Sequence, residues 1–464
     1  AAPGPVAALP VLEVEEERGA EPSPGWRLWR RVSLFAAGLG ALTVVGLVLR
    51  LAVSSTAAPD AVSGQIAANL VGGAGYSLPG PFGGFTPTAL RMPIVPALLS
   101  LAETSASPEL AARLLWAVIG AGTVTAVGVV GRRLFGVTAG LIAAAIVAVL
   151  PSFFLENVRL ASGTVAALVI ALLLLTITSH AGTTLSIPRA AVAGGLAGIL
   201  ALTRPEGLLL GPAIVVAWLL GRAAAALPPA RRTSLAVAAA AGLIVVAGPW
   251  MARNHAQFGT FLPTTETGTV AAGANAPASY TGGFMGSYDP AATRAAQESV
   301  STTPVGEGLL DRRLRSEAES YATGHLGGLV VALPVRVARA FDLWSPTNER
   351  DAHAARGLEV KGWLLEWLTF LPLLALAAWG YWRLRARFRG DLLPLYVAPL
   401  AVALVALVAY GEPLARASID PMLALVAGAG LTMLPGLPRW RRPGRRRRHR
   451  GRKRWPGRWG RSAV

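Results

Sequence analysis

Ten long apolar runs determine what this chain can fold into. They recur along most of its 464 residues, at 33–53, 110–130, 137–154, 163–179, 190–203, 206–221, 234–251, 362–382, 392–410 and 419–437. A helix of about 20 apolar residues spans the hydrocarbon core of a bilayer, and only helices and closed barrels satisfy their own backbone hydrogen bonds in lipid. The sequence therefore predicts an all-α, polytopic membrane helical bundle with about ten transmembrane helices.

Composition supports this fold class and excludes several kinds of site. Hydrophobic residues make up 53% of the chain and charged residues only 15%, and the mean hydropathy is +0.50. The chain has no cysteine, which excludes disulfides and thiolate metal sites. Its five histidines are scattered, so a protein-bound metal would rest on carboxylates. We assign no metal or other cofactor, and the residues leave open whether a divalent cation takes part.

The net charge of +18 is concentrated near the C-terminus. Twelve arginines and one lysine lie between 439 and 461 without any acid, so this segment carries +13. We interpret 438–464 as a basic, disordered cytoplasmic tail that contacts anionic membrane lipids. Nucleic acid is not the expected partner. Binding of RNA or a protein by this tail is the alternative. The Ala/Pro/Gly-rich residues 1–25 predict a disordered cytoplasmic extension.

Arginines in alternate connections predict the orientation of the bundle. Under the positive-inside rule they place both termini in the cytoplasm, and we expect the protein in the cytoplasmic (inner) membrane. The transmembrane domain, 26–437, then has two long outward loops, 54–107 and 252–361. The second loop contains an amphipathic stretch, 333–344, with Arg336 and Arg339 on one side. This stretch predicts an interfacial helix on the membrane surface.

Charged residues predicted at the outer face are candidates for chemistry. Asp60 is the first carboxylate after the first apolar run, and it is interpreted as the N-cap of a helix over 61–70 or as a general base, which are compatible roles. Arginines at the outer ends of the spans could snorkel or pair with acids, or together bind an anion such as a lipid phosphate. These arginines are Arg50, Arg91, Arg159, Arg204, Arg253 and Arg416.

Several motifs between Asp60 and about Leu431 resemble those of GT-C glycosyltransferases, a group that includes protein O-mannosyltransferases and bacterial aminoarabinose transferases. Asp60 and the later Gly73-Ala74-Gly75-Tyr76 resemble the first outer loop of that family. Thr203-Arg204-Pro205 resembles its Thr-Arg-Pro motif, and Pro249-Trp250-Met251-Ala252-Arg253-Asn254 resembles its Pro-Trp-x-x-Arg-Asn signature. Arg416 and Pro421 resemble a late Arg/Pro pattern. A second acid of the family falls at Gly163 or Thr164 here, which leaves Glu156 as the nearest carboxylate.

The resemblance implies a hexosyl- or pentosyltransferase of cell envelope biogenesis. Such an enzyme would transfer a sugar, with inversion, from a polyprenyl-phosphate-linked donor to a hydroxyl of a lipid, glycan or protein at the outer face. Asp60 would be the general base, and Arg204, Arg253 and Arg416 would bind the donor phosphate. Further sugar or acceptor contacts would come from Glu156, Arg91, Tyr76, Asn254 and His255. The alternatives are a lipid-linked oligosaccharide polymerase or ligase, a transporter, or a non-catalytic scaffold of the same topology.

Overall fold

Helices account for nearly all regular structure in the computed structural model, which describes residues 24–53, 59–80, 83–178, 185–301, 306–355, 363–387 and 392–434. The N-terminal half contains α1 (Pro24–Val53), α2 (Ala61–Val71), β1 (Ser77–Pro79), β2 (Phe85–Pro87), α3 (Ile94–Glu103), α4 (Pro108–Phe135), α5 (Val137–Val149), α6 (Pro151–Val158), α7 (Ser162–Ile177), α8 (Ile187–Ala201), α9 (Gly207–Leu220), α10 (Arg222–Ala225) and α11 (Pro229–Phe258). Strands β1 and β2 form an antiparallel hairpin.

The C-terminal half continues with short helices of the second long loop and then returns to apolar helices. Its elements are α12 (Thr267–Ala274), α13 (Pro277–Tyr280), α14 (Pro290–Ser301), α15 (Glu307–Gly324), α16 (Leu326–Ala340), α17 (Pro346–Ala355), α18 (Trp363–Leu384), α19 (Leu393–Val408), α20 (Pro413–Arg416) and α21 (Asp420–Leu431). The predicted tail 438–464, and all but the last two residues of the predicted extension 1–25, lie outside the described residues.

Each of the ten apolar runs overlaps a helix, and the run 137–154 is divided between α5 and α6. The predicted all-α architecture is thus confirmed. The corresponding helices are α1, α4, α5, α7, α8, α9, α11, α18, α19 and α21. Within the described ranges, four helical segments are long and apolar enough to cross a membrane, namely Ser33–Val53, Pro108–Phe135, Pro229–Phe258 and Leu364–Leu384. The count of ten crossings stays a prediction, as do the domain boundaries.

The break between α5 and α6 has a local cause. Pro151 lacks an N–H, so the carbonyl of Val147, four residues earlier, loses its helical donor. The guanidinium of Arg50 replaces that donor at 3.1 Å and also binds the Gly46 carbonyl at 2.9 Å. Arg50 is 1% exposed, so this arginine, which the sequence predicts at the outer end of a span, completes backbone hydrogen bonds within the bundle and does not line its surface.

Small residues allow α8 and α11 to pack closely. A methyl group added at Gly194 would collide with the Ala239 carbonyl, and one added at Gly242 would collide with the Ala191 carbonyl. Glycine at both positions therefore lets the two backbones approach, as is usual between membrane helices. This contact holds α11 against the bundle and fixes the loop that follows it.

The helix predicted at 333–344 differs from the structure. Helix α16 begins at Leu326 and ends at Ala340, and its two arginines point into the protein. Arg336 donates to the carbonyls of Ala274 and Leu407, while Arg339 donates to Met285 and pairs with Glu349. The exposed side chains are instead apolar: Leu326, Val330 and Val331. The guanidinium groups of both arginines turn inward because backbone carbonyls of the second loop and of α19 accept their hydrogen bonds. A buried charged group and a buried carbonyl are both stabilised when they are hydrogen-bonded to each other. Its placement on a membrane surface stays a prediction.

Candidate functional site

Asp60 lies at the N-terminus of α2, where the sequence places a cap. Its backbone is extended, and its carboxylate accepts the Ser63 N–H at 3.1 Å. The same carboxylate oxygen accepts the Nε–H of Arg91 at 3.1 Å. The Asp60 side chain keeps 47% of its surface exposed. Asp60 is therefore an N-cap whose free face remains available to a ligand.

Arg91 joins Asp60 to a second carboxylate. While its Nε donates to Asp60, a terminal nitrogen of Arg91 lies 2.6 Å from Glu266. Glu266 immediately precedes α12, so the guanidinium bridges the two long outer loops. Glu266 is not among the site residues predicted from the sequence, because nothing in its local sequence separates it from the other acids of the second loop.

The pKa values of Asp60 and Glu266 are shifted in opposite directions. Burial alone raises the pKa of Asp60, but the charge of Arg91 and the hydrogen bonds from Ser63 and Arg91 outweigh it and lower the pKa below its usual value. For Glu266, burial dominates over the attraction of Arg91 and raises the pKa. Asp60 is thus firmly ionised at neutral pH, whereas Glu266 is the stronger base of the two.

A cavity of about 550 Å³ opens beside these groups. It is formed where the first outer loop, the α6–α7 and α8–α9 connections and the chain after α11 meet at one end of the bundle. Its lining is Pro59, Asp60, Ser63, Arg91, Met92, Val95, Arg159, Leu160, Ala161, Ser162, Thr203, Pro205, Thr264 and Glu266. The volume is typical of a small-molecule site with an apolar wall and a few convergent polar groups.

Arg159 is the second cation of the cavity. It directly follows α6 and is partly exposed. In the part of the chain that the structure describes, its guanidinium makes no ion pair within 4 Å. Arg91, in contrast, is already shared by two carboxylates. The outward arginines recognised in the sequence include Arg159, but the structure is what separates it from the others.

Tyr76, Arg253 and Asn254 form the framework behind the cavity. Arg253 donates to the carbonyls of Thr88 at 2.7 Å and Tyr76 at 3.2 Å, and its guanidinium lies 4.8 Å from the Trp250 ring. The Tyr76 hydroxyl donates to the Arg91 carbonyl at 2.7 Å. The buried Asn254 amide donates to the Leu262 carbonyl at 2.9 Å. These contacts fasten the first outer loop to α11.

His255 stands apart from this framework. It is exposed near the end of α11, and its ring stacks on Phe261 with centroids 3.9 Å apart. Neither ring is among the residues that line the cavity. The predicted contact of His255 with sugar or acceptor is untested and stays a prediction.

Arg204 and Glu156 form a layer beneath the cavity wall. Arg204 pairs with Glu206 at 2.5 Å and reaches the Ser162 hydroxyl at 3.5 Å. Glu156 is 4% exposed, and neither of its carboxylate oxygens has a hydrogen-bond donor among the described residues. A side chain at Gly163 would collide with this carboxylate. Burial raises the pKa of Glu156, against the opposing charges of Arg204 and Arg159.

Arg416 lies in a separate buried cluster. It is fully buried, 2.7 Å from Asp342, 3.5 Å from Asp420 and 3.8 Å from Glu366, and its guanidinium lies 3.4 Å from the Phe370 ring centroid. Three carboxylates therefore enclose it away from the cavity lining. The predicted contact of Arg416 with a donor phosphate is untested, and the structure does not bring it together with Asp60.

No set of three or more His, Asp or Glu side chains suited to holding a metal ion occurs within the described ranges. Asp60 and Glu266, the two carboxylates of the cavity, instead share the guanidinium of Arg91. The cavity thus combines an ionised carboxylate, a more basic carboxyl group and a guanidinium that has no ion-pair partner in the described part of the chain. Such a set can accept a proton and stabilise an anion.

Similarity to known proteins is confined to structure. No protein-family model matches the sequence, and no curated protein matches it. The crystal structure of the oligosaccharyltransferase from Archaeoglobus fulgidus, tethered with an acceptor peptide containing the NVT sequon, aligns with a TM-score of 0.53 and 15% identity over 87% of this chain and 50% of that chain. The archaeal oligosaccharyltransferase AglB from Archaeoglobus fulgidus, in complex with an inhibitory peptide and a dolichol-phosphate, gives 0.51 and 14% over the same shares.

The chain thus spans about half the length of these structures. ArnT from Cupriavidus metallidurans, bound to undecaprenyl phosphate, covers 88% of this chain and 78% of its own at 15% identity, but its TM-score of 0.39 is too low to support an argument. At such identities the likeness to the oligosaccharyltransferases shows the fold. The chain therefore has the all-α fold of these oligosaccharyltransferases, which agrees with the polytopic helical bundle that the sequence predicts.

Proposed function

We propose that this protein is a membrane glycosyltransferase that transfers a sugar from a polyprenyl-phosphate-linked donor to a hydroxyl acceptor, with inversion. The observation that carries the proposal is a single cavity lined by ionised Asp60 and by Arg159, which forms no ion pair with any described residue. The fold supports it, because a protein of this fold has been found in complex with a dolichol-phosphate. A lipid phosphate and a hydroxyl acceptor need these two kinds of group.

In the proposed reaction the acceptor oxygen attacks the anomeric carbon from the face opposite the phosphate. The O–H proton passes to the Asp60 carboxylate, the new C–O bond forms, and the bond between the anomeric carbon and the phosphate oxygen breaks. The bonding electrons leave with the lipid phosphate. A positioned base of this kind contributes about 10²–10⁴-fold in rate. No cofactor is needed to balance the step.

Cations stabilise the departing phosphate in this proposal. Arg159 is the best-placed donor, because it lines the cavity and its guanidinium has no competing acid within 4 Å in the described chain. Arg91 is the second, although two carboxylates already share its charge. Arg204 acts from behind through Ser162. Preorganised charges of this type commonly lower the activation barrier more than any other single effect in an enzyme.

We place the cavity at the outer face of the cytoplasmic membrane, with both termini inside. The arginine pattern of the connections supports this orientation. The cavity lies at the same end of the bundle as both long loops, since residues 59–95 and 264–266 line it together. Acceptor and donor would then meet at the membrane surface.

The test compares purified wild type and Asp60→Asn with a panel of short polyprenyl-phosphate sugars, and follows release of polyprenyl phosphate. Asparagine is as good an N-cap as aspartate, so the substitution removes the base while keeping the cap of α2. Glu109→Gln is the matched control, because Glu109 is exposed and, of the residues that the structure describes, pairs with Arg113 on its own helix alone. We expect release by wild type and control, and at least a hundredfold less by Asp60→Asn.

Equal release by wild type and Asp60→Asn would remove Asp60 from the mechanism. Acceptor hydroxyls of a sugar, a lipid and a serine peptide are supplied together, so that the absence of one acceptor does not hide the activity. Failure of wild type to release polyprenyl phosphate from every donor under these conditions would overturn the proposed transferase.

A further inference from the structure

The carboxylate of Glu266 is held at the cavity by a built contact between the two outer loops. The Thr265 N–H donates to the Ala89 carbonyl at 3.0 Å, and the Thr264 hydroxyl donates to the Leu90 carbonyl at 3.1 Å. The Thr264 hydroxyl oxygen also accepts the Glu266 N–H at 3.1 Å. These bonds position the residue directly beside the segment that carries Arg91.

A third carboxylate, outside the cavity lining, stabilises the contact between the two loops. Glu307, in the first turn of α15, accepts the Thr88 hydroxyl at 2.8 Å and the Ala89 N–H at 2.7 Å, and it also accepts the Thr265 hydroxyl. The hydrogen bonds of Glu307 are thus used to hold the loops together. Glu266 is left with one side-chain partner, Arg91, and with 37% of its side chain exposed toward the cavity.

We propose that Glu266 is a second catalytic carboxylate of this site, which shares with Asp60 the task of accepting the proton of the acceptor hydroxyl. The geometry carries the assignment: both carboxylates bind the guanidinium of Arg91, at 3.1 and 2.6 Å, and both line one cavity. They come from different outer loops. The assignment rests on the proposed transferase function and extends it to a residue that no motif indicates.

The acidities of the two groups support a division of labour. A general base works best when its pKa lies near the operating pH. The pKa of Asp60 is lowered and that of Glu266 is raised, so Glu266 is the better proton acceptor and Asp60 the more constant negative charge. The charges that act on Glu266 are those of Arg91 and Asp60, both from the first long loop. Arg159 lines the same cavity.

The proton balance is simple. In each turnover one O–H bond of the acceptor breaks, the new C–O bond to the anomeric carbon forms, and the lipid phosphate leaves with the electron pair of the broken glycosidic bond. The proton goes to one of the two carboxylates that line the cavity, Asp60 or Glu266. The protonated carboxyl group then releases this proton to water through the open cavity.

The test is the pH dependence of kcat/KM for wild type, Glu266→Gln, Glu266→Asp, Asp60→Asn and the double variant, with Glu109→Gln as control. A base must be deprotonated to act, so the acid limb of wild type should lie above the ordinary pKa of a glutamate. Glu266→Gln should lose at least tenfold at neutral pH and shift its acid limb to lower pH, because Asp60 then acts alone. Glu266→Asp should restore the limb.

The residual rate of Asp60→Asn should keep the acid limb of wild type and fall at least another tenfold in the double variant. A pH-independent loss in Glu266→Gln, with an unmoved acid limb, would show that Glu266 only positions Arg91 and would overturn the assignment while leaving the transferase intact. Absence of transfer by wild type with every donor would overturn both. Transfer that is unaffected by Glu266→Gln would overturn the assignment alone.

Discussion

Replacement of Arg159 gives the sharpest quantitative prediction for the binding of a lipid phosphate. Its guanidinium lines the cavity and forms no ion pair within 4 Å in the described chain, so a phosphate could bind it without displacing an ion-pair partner. Hydrogen bonds to charged groups contribute about 1.5–3 kcal/mol. Because Arg159 is partly exposed and its charge is screened, we expect the lower part of this range. Arg159→Gln should therefore raise the Kd for polyprenyl phosphate about 10- to 30-fold.

The other arginines provide the contrast. Arg204 is already paired with Glu206 at 2.5 Å, and Arg253 is occupied by the carbonyls of Thr88 and Tyr76. Arg204→Gln should weaken binding less than Arg159→Gln, and Arg253→Gln should lower stability more than affinity. Arg159→Lys should lie between wild type and Arg159→Gln, since it keeps the charge but loses the bidentate fork.

The assay is equilibrium binding of a short polyprenyl phosphate to the detergent-solubilised protein at two salt concentrations. Arg313→Gln is the control, because Arg313 is exposed on α15 and pairs with Glu317 on the same helix. The affinity difference should shrink at the higher salt. An unchanged Kd in Arg159→Gln, with the loss appearing in Arg204→Gln or Arg253→Gln instead, would refute the argument and restore the set of phosphate-binding residues expected from the sequence motifs.

Two further predictions address the frame and the orientation. Glu307→Gln should destabilise the protein by about 1–3 kcal/mol, because the side chain loses the negative charge that accepts the Thr88 hydroxyl and the Ala89 N–H. Denaturant unfolding followed by tryptophan fluorescence measures this change. An unchanged unfolding midpoint would contradict the prediction. The chain has no cysteine, so single cysteines report orientation. A cysteine placed at Ser107 should react with a membrane-impermeant maleimide in intact cells, whereas one placed at Thr233 should react only after lysis. Both positions are exposed. The reverse labelling pattern would show that the predicted orientation is wrong.

The sequence determined the helices, because each depends on local information. Apolar runs indicate where these helices lie, and each of the ten runs overlaps at least one helix. It also determined that Asp60 caps α2, since a cap needs only the next few residues. Local information is insufficient for the helix that contains Arg336. Its amphipathic pattern predicts a helix on the membrane surface, but carbonyls distant in the sequence accept the hydrogen bonds of Arg336 inside the protein.

Only the tertiary structure decided which charges meet. Arg91 and Glu266 are 175 positions apart and form an ion pair because two loops dock on each other. Arg159 and Arg416 look alike in the sequence, yet one lines the cavity and the other is enclosed by three carboxylates. The reason is physical: hydropathy along a segment sets whether it forms a membrane helix, but the partner of a guanidinium depends on which acids the folded chain brings within a few ångströms.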